Sequence, residues 1–128
     1  MKILLLLLSF SLYACTTTAP MSDELYKHLS TPLNCKGEDE CKIMWDRAMY
    51  FVNTNAAYKV QIANDNMIET YNPSSYSPKL AFRIIKQPLG DGAYKITVQT
   101  WCDNVFGCSP DSRTATARAK RYIRSGVL

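Results

Sequence analysis

The sequence predicts an α+β two-layer sandwich in which two helices cover one face of a four-stranded antiparallel sheet. The prediction depends on three observations. Apolar residues recur every three or four positions in an early segment and again in the last one, which is the spacing of a buried helix face. Between these segments, four stretches alternate apolar and polar residues as half-buried strands do. Short turns join consecutive strands, so we expect neighbours in sequence to run antiparallel.

The first long helix is predicted over residues 38–55. Acidic residues stand at its start, where the positive end of the helix dipole favours negative charge: Glu38, Asp39 and Glu40. The predicted buried face follows at helical spacing, with Cys41, Met44, Trp45, Ala48 and Val52. The acidic side chains diverge in direction and serve the helix start, so we do not interpret them as catalytic carboxylates. A shorter helix is also indicated after Ser22, with Pro32 ending it.

The first two strands form a hairpin around an Asn-Asp-Asn turn. A three-residue loop places Ile62 opposite Ile68 and Val60 opposite Thr70, and we prefer this register. A two-residue loop would instead place Ile62 opposite Met67. The other two strands form a second hairpin, with strands over 80–85 and 94–99 and a turn at Gly90-Asp91-Gly92.

The final helix is predicted over residues 110–124, with Ser109 as its N-cap and Gly126 at its end. Its apolar stripe consists of Ala115, Ala119, Tyr122 and Ile123. Five basic residues fall away from that stripe: Arg113, Arg118, Lys120, Arg121 and Arg124. This basic side, with Arg118 and Arg121 as possible contacts, could meet anionic lipid headgroups, peptidoglycan carboxylates or an acidic partner. A solvated polar face would also account for it.

The N-terminus has the layout of a secretory signal peptide. Lys2 gives a positive start, and the apolar run that follows is about half the roughly 20 residues that a membrane-spanning helix needs. The run closes on Leu12-Tyr13-Ala14-Cys15, which resembles the lipobox of bacterial lipoproteins. The resemblance implies cleavage before Cys15 and diacylation of its thiol, and two acyl chains hold a protein stably on a membrane.

The same resemblance implies a location. Thr16 follows Cys15, whereas an aspartate at that position favours inner-membrane retention in this family, so we expect an outer-membrane lipoprotein facing the periplasm. The predicted organisation is a cleaved signal peptide over 1–14, the lipidated cysteine and a tether over 15–34, and one disulfide-stabilised domain over 35–128.

Four cysteines remain once Cys15 is assigned to lipid, and an even number in an oxidising compartment predicts two disulfides. The preferred, local pairing joins Cys35 to Cys41 and Cys102 to Cys108, with five residues enclosed in each loop. The competing pairing joins Cys41 to Cys102 and would link helix to sheet. The closer spacing typical of a zinc site and the C-x-x-C of redox enzymes are both absent from the sequence.

Composition and motifs argue against several classes of function. The net charge of +4, or +3 without Lys2, is too small a surplus to favour nucleic-acid binding. His28 is the only histidine and is expected on a solvated surface, and no nucleophile-elbow, zinc-protease or phosphate-loop motif occurs. Asp103 and Asn104 offer too few oxygen ligands for calcium. We therefore expect no catalytic residues, no metal and no cofactor.

A second binding hypothesis concerns aromatic residues. The proline-stiffened loop 72–78 suits protein or glycan contacts, and we group with it Tyr71, Tyr76, Trp101 and Phe106. Trp101 has the parity of the solvent-facing strand residues, and Phe106 lies between two cysteines. An ordinary exposed crossover loop would also explain this composition.

Beyond the lipobox, the segments CKIMWDRA, NAAYKVQI and CDNVFGC together resemble a group of small lipoproteins of Gram-negative bacteria. That resemblance implies no catalytic residues. We expect a non-enzymatic accessory or binding module of the cell envelope, held on the membrane by its lipid and contacting an envelope protein. The alternative is an enzyme or enzyme inhibitor that acts on envelope polymers.

Overall fold

Residues 19–128 are described by the computed structural model and form one antiparallel sheet with three helices. In chain order the elements are α1 Asp23–Ser30, β1 Leu33–Lys36, α2 Glu38–Asn55, β2 Val60–Ala63, β3 Met67–Thr70, β4 Ala81–Gly90, β5 Ala93–Trp101 and α3 Ser112–Ser125. The strand order is β1-β5-β4-β3-β2, and every neighbouring pair is antiparallel. The predicted α+β class is confirmed, with five strands in place of four.

The core lies between α2, α3 and one face of the sheet. The predicted bounds of α2 are confirmed, and its buried residues are Cys41, Met44, Ala48, Phe51 and Val52. They pack against the inward side chains of the central strands, among them Ile68, Phe82 and Ile84, each at most 2% exposed. Full burial of such a side chain contributes about 1.5–3 kcal/mol. The sheet's other face has no helix of residues 19–128 packed on it.

The fifth strand, β1, was missed because it is only four residues long and has just two apolar residues. Its pairing with β5, with Leu33 opposite Ile96, turns Leu33 and Cys35 into the core. Both β1 and α1 begin inside the range 15–34, which we predicted to be a tether. The weakly indicated helix after Ser22 is present as α1, and the Ser22 hydroxyl accepts a hydrogen bond from the Leu25 amide. Ordered structure therefore begins before the predicted domain start at residue 35.

The register of the first hairpin agrees only partly with the prediction. Val60 lies opposite Thr70 as expected, but Ile62 lies opposite Glu69, and Ala63 takes the place opposite Ile68. A β-bulge between Val60 and Ile62 shifts the pairing by one residue, so the regular alternation that we assumed does not hold there. The second hairpin is confirmed, with Ala81 of β4 opposite Trp101 of β5 at its open end.

The last helix begins two residues later than predicted. Its N-cap is Asp111 rather than Ser109, because the Asp111 carboxylate accepts hydrogen bonds from both the amide and the hydroxyl of Thr114. The Ser109 amide is used elsewhere, donating to the carbonyl of Pro78. The helix ends at Gly126 as predicted, and this residue has the left-handed φ of 75° that suits glycine.

Both disulfides are local. Cys35 is bonded to Cys41 and Cys102 to Cys108, so the preferred pairing is confirmed and the competing link between Cys41 and Cys102 is wrong. The first disulfide joins β1 to the start of α2, and the second closes a loop just after β5. Each constrains the unfolded chain enough to contribute about 2 kcal/mol.

Candidate functional site

Two long loops meet at one end of the sheet, which we call the loop end. One loop connects β3 to β4 and the other connects β5 to α3. They are joined by backbone hydrogen bonds, from the Asp103 amide to the Ser77 carbonyl and from the Ser109 amide to the Pro78 carbonyl. The two hairpin turns lie at the opposite end of the sheet. Loops that are distant in sequence therefore form one surface.

Asn104 ties the two loops together through its side chain. Its amide nitrogen donates to the Tyr76 carbonyl at 2.7 Å, and its amide oxygen accepts from the Phe106 backbone amide at 2.9 Å. The Asp103 carboxylate accepts from the Tyr76 amide at 3.2 Å. With the disulfide between Cys102 and Cys108 closing the loop, these bonds fix the backbone on which the exposed side chains stand.

The outermost side chains of this surface are apolar, and we call them the tip: Tyr76, Val105 and Phe106. They are 83%, 90% and 96% exposed, the highest values among the large apolar side chains of residues 19–128. Such exposure is unusual for one valine and two aromatic residues held next to each other on an ordered backbone. The tip thus presents apolar area without any partner from the described part of the chain.

A second surface, the open face, is the side of the sheet that faces away from the helices. Trp101 is half-buried there, and the Arg83 guanidinium lies 5.6 Å from the centre of its ring. Arg83 donates to the carboxylate of Glu69, which also accepts from Gln61 at 3.1 Å. Tyr71, one residue past β3, is 56% exposed. The first four of these side chains form a connected row of aromatic, charged and amide groups, and Tyr71 has the same outward parity as Glu69.

The ion pair in this row holds Arg83 in place. Glu69 is only 8% exposed, and the hydrogen bond from Arg83 is the main cause of a pKa below the usual value for its carboxyl. The same bond raises the pKa of the Arg83 guanidinium. Arginine and tryptophan are among the residue types enriched at binding hot spots, and a guanidinium near an indole ring is attracted to it.

The structure divides the four aromatic residues that we grouped from the sequence. Tyr76 and Phe106 belong to the tip, where their backbones share the Asn104 side chain. Tyr71 and Trp101 belong to the open face, and the outward parity predicted for Trp101 agrees with its pairing opposite Ala81. Sequence reasoning missed Val105, although an apolar residue inside so short a disulfide loop has little chance to reach a core. It also missed the pair formed by Glu69 and Arg83. The sequence signal for this pair was that both residues occupy outward-facing positions of their strands.

The predicted basic side of α3 is only partly a free surface. Arg118 is exposed, whereas Arg121 is half-buried. Lys120 donates to the Leu29 carbonyl at 2.7 Å, and Arg124 donates to the carbonyls of Thr31 and Pro32. Burial is the main reason that the pKa of Lys120 lies below its ordinary value. The basic side is therefore solvated only in part, because α1 packs along this part of α3.

His28 also lies in this contact rather than on an open surface. Its Nδ1 accepts a hydrogen bond from the Arg124 guanidinium at 2.7 Å, since arginine has only donors to offer. Burial and the positive charge of Arg124 together lower the pKa of His28 from its ordinary value. The neutral imidazole is therefore the form that fits the fold.

Two of the concavities in residues 19–128 lie at opposite ends of the sheet. The larger, of about 530 Å³, lies at the hairpin end, where the Lys86 ammonium stands 4.9 Å from the ring centre of Trp45 and 5.4 Å from that of Tyr94. The smaller, of about 310 Å³, lies at the loop end between core side chains, with Lys79 and Arg118 in its lining. No three histidine, cysteine, aspartate or glutamate side chains in residues 19–128 are grouped so as to hold a metal ion.

The helices of the described range are all too short or too polar to cross a membrane.

The candidate site consists of two neighbouring surfaces: the apolar tip at the loop end and the open face beside it. No protein-family model, no curated protein and no solved structure matches the chain.

Proposed function

We propose that this protein is a lipid-anchored module of the bacterial cell envelope that binds an envelope protein through its open face, without catalysing a reaction. Cys15 carries the lipid, and the domain stands on the periplasmic side of the outer membrane. The observation that carries the binding role is the ordered row on the open face, where Arg83 is held over Trp101 by its ion pair with Glu69.

This row has the properties of a binding hot spot. Tryptophan, tyrosine and arginine are the residue types that dominate binding energy at protein interfaces. The ion pair and the hydrogen bond from Gln61 order the row before any partner arrives, which lowers the entropy lost on binding. A partner with an apolar or aromatic patch and a nearby carboxylate would complement Trp101 and Arg83.

The experiment is crosslinking in living cells, followed by recovery of the tagged protein and identification of what is bound. The test variant is Trp101→Ala, and the control is Ile43→Ala, which removes an apolar side chain, 52% exposed, from the outer surface of α2. We expect one envelope protein to be recovered with the unchanged protein and with the control, and to be lost with Trp101→Ala.

Cys15→Ser supplies the second comparison, since it removes the proposed site of acylation. We expect loss of membrane association and reduced recovery of the partner. Equal recovery with Trp101→Ala and Ile43→Ala would remove the open face from the proposal. If the recovered protein is an enzyme that cuts envelope polymers, its activity with and without the purified domain would distinguish an accessory protein from the inhibitor that is our alternative.

A further inference from the structure

The described chain begins at the loop end. Ala19 and Met21 line a small cavity together with Asp111, Arg113 and Thr114, at the start of α3. From there α1 runs beside α3, so that the contacts of Leu29 with Lys120 and of Thr31 with Arg124 follow in the same order along both segments. The described chain therefore begins at the same end of the domain as the tip.

The sequence limits how far the proposed lipid can be from this end. Cys15 lies four residues before Ala19, and four residues span at most about 14 Å in any conformation. Phe106 lies five residues before Asp111, a span of at most about 18 Å. If Cys15 is acylated, as the proposed function requires, the loop end lies within a short distance of the bilayer surface.

The tip has the composition that membrane interfaces favour. Transfer of the exposed valine and phenylalanine side chains out of water lowers the free energy, and tyrosine is enriched at the level of the lipid headgroups. The disulfide and Asn104 have already ordered this loop, so that insertion costs little conformational entropy. A covalent anchor also raises the effective concentration of the tip at the bilayer, which allows a weak contact to be occupied.

Charges around the tip favour anionic headgroups. Three basic side chains at the loop end are exposed: Lys79, Arg113 and Arg118. The nearby carboxylates of Asp103 and Asp111 each accept a hydrogen bond from a backbone amide, which compensates part of their charge. Exposed lysine and arginine next to an apolar tip are typical of segments that lie in a membrane interface.

We propose that the tip inserts into the interfacial region of the bilayer that holds the Cys15 lipid. The domain is then attached to the bilayer at two points, and the plane of the sheet is roughly perpendicular to the membrane surface. In this orientation the open face points sideways into the periplasm, accessible to a protein partner. The inference rests on the proposed lipid anchor and adds the bilayer as the partner of the tip.

The test measures the depth of a single indole in vesicles. Phe106→Trp places it on the tip, and Leu89→Trp places it at the hairpin end on a residue that is 54% exposed. Both full-length variants are isolated from membranes and reconstituted in vesicles of phosphatidylethanolamine and phosphatidylglycerol with brominated acyl chains, which quench nearby indoles. The unsubstituted protein gives the background from Trp45 and Trp101.

We expect the added indole at position 106 to lose about half of its fluorescence, since interfacial segments lie about 5–10 Å deep in the headgroup and acyl boundary. The indole at position 89 should lose none. Equal quenching at the two positions would overturn the proposal. Neither substitution touches the core, so both variants should keep the thermal midpoint of the unsubstituted protein.

Failure of the anchor and failure of the tip can be told apart. Mass spectrometry of the isolated protein shows whether Cys15 is acylated. Absence of the acyl chains would refute the proposed anchoring but not the insertion of the tip. In that case Cys15 is coupled to a maleimide lipid, the other four cysteines being held in disulfides, and the measurement is repeated. Quenching at position 106 would then support tip insertion, and its absence would overturn it. Loss of a crosslinked protein with Phe106→Asp, without quenching, would show a protein contact and would also overturn it.

Discussion

Replacing Arg83 with methionine should destabilise the domain through the charge that it leaves behind. The Glu69 carboxylate is 8% exposed and would keep only its hydrogen bond from Gln61. Removing one member of a fully buried ion pair costs about 3–5 kcal/mol. Because the Arg83 side chain is itself 40% exposed, water reaches the pair, and we expect a cost of about 2 kcal/mol. For a domain of this size, that corresponds to a fall of about 8 °C in thermal midpoint.

The cost should depend on pH in a defined direction. Arg83 lowers the folded-state pKa of Glu69, so the pair contributes stability above the unfolded pKa of 4.5 and loses it as the pH falls through the folded value. In Arg83→Met no arginine stabilises the ionised Glu69 carboxylate, so ionisation contributes little to folding stability. Protonation in acid then removes the unpaired charge. The difference between the two proteins should therefore be largest near neutral pH and should shrink in acid.

Urea unfolding with both disulfides intact, followed by tryptophan fluorescence at about pH 7 and about pH 3.5, measures this difference. Lys42→Met is the matched control, because it removes a cation from an ion pair with Asp46 whose side chains are 71% and 62% exposed. The control should cost much less than Arg83→Met, because water screens an ion pair between two exposed side chains. An Arg83→Met variant no less stable than the control, or one with the same cost at both pH values, would refute the assignment of a buried pair.

Three further predictions concern the helices, each measured as a thermal midpoint. Folding lowers the pKa of His28, so its contribution to the free energy of unfolding is fully present above the unfolded value of 6.5 and is lost as the pH drops below it. His28→Gln should remove that part of the pH dependence. An unchanged profile would contradict the contact with Arg124. Asp111→Ala removes the N-cap of α3 and should cost about 1 kcal/mol, whereas Asp111→Asn should cost less. Gly126→Ala forces an L side chain to φ 75° and should cost about 1 kcal/mol; no loss would mean that the helix ends differently in solution.

Local patterns explain which elements could be predicted. The bounds of α2 follow from acidic residues at its start and a helical spacing that continues over 18 residues, so each turn repeats the signal. The second hairpin follows from alternation on both strands and a glycine on each side of its turn. The strand β1 has too few residues for any period to emerge, and its existence depends on β5, which lies about 60 positions later in the chain.

The errors on α3 have a similar origin. Sequence reasoning correctly placed Arg118 and Arg121 away from the apolar stripe, but a helix's own sequence cannot show which other element will pack beside it. Lys120 and Arg124 are covered by residues more than 90 positions earlier. The bulge at Gln61 is a comparable case, since its side chain donates to Glu69 and to the Thr70 carbonyl on the neighbouring strand.

The aromatic site shows how far composition can lead and where geometry is needed. Four aromatic residues near strand ends predicted a surface, because exposed aromatic residues are costly to leave in water without a role. Their separation into two surfaces depends on direction: Tyr71 and Trp101 continue the pleat of the sheet, whereas Tyr76 and Phe106 extend beyond its end on loops joined by Asn104. A bilayer can contact the tip while a protein contacts the open face, since the two surfaces point in different directions. Substitutions at Phe106 and at Trp101 should therefore have separable effects, with membrane depth changed by the first and partner recovery by the second.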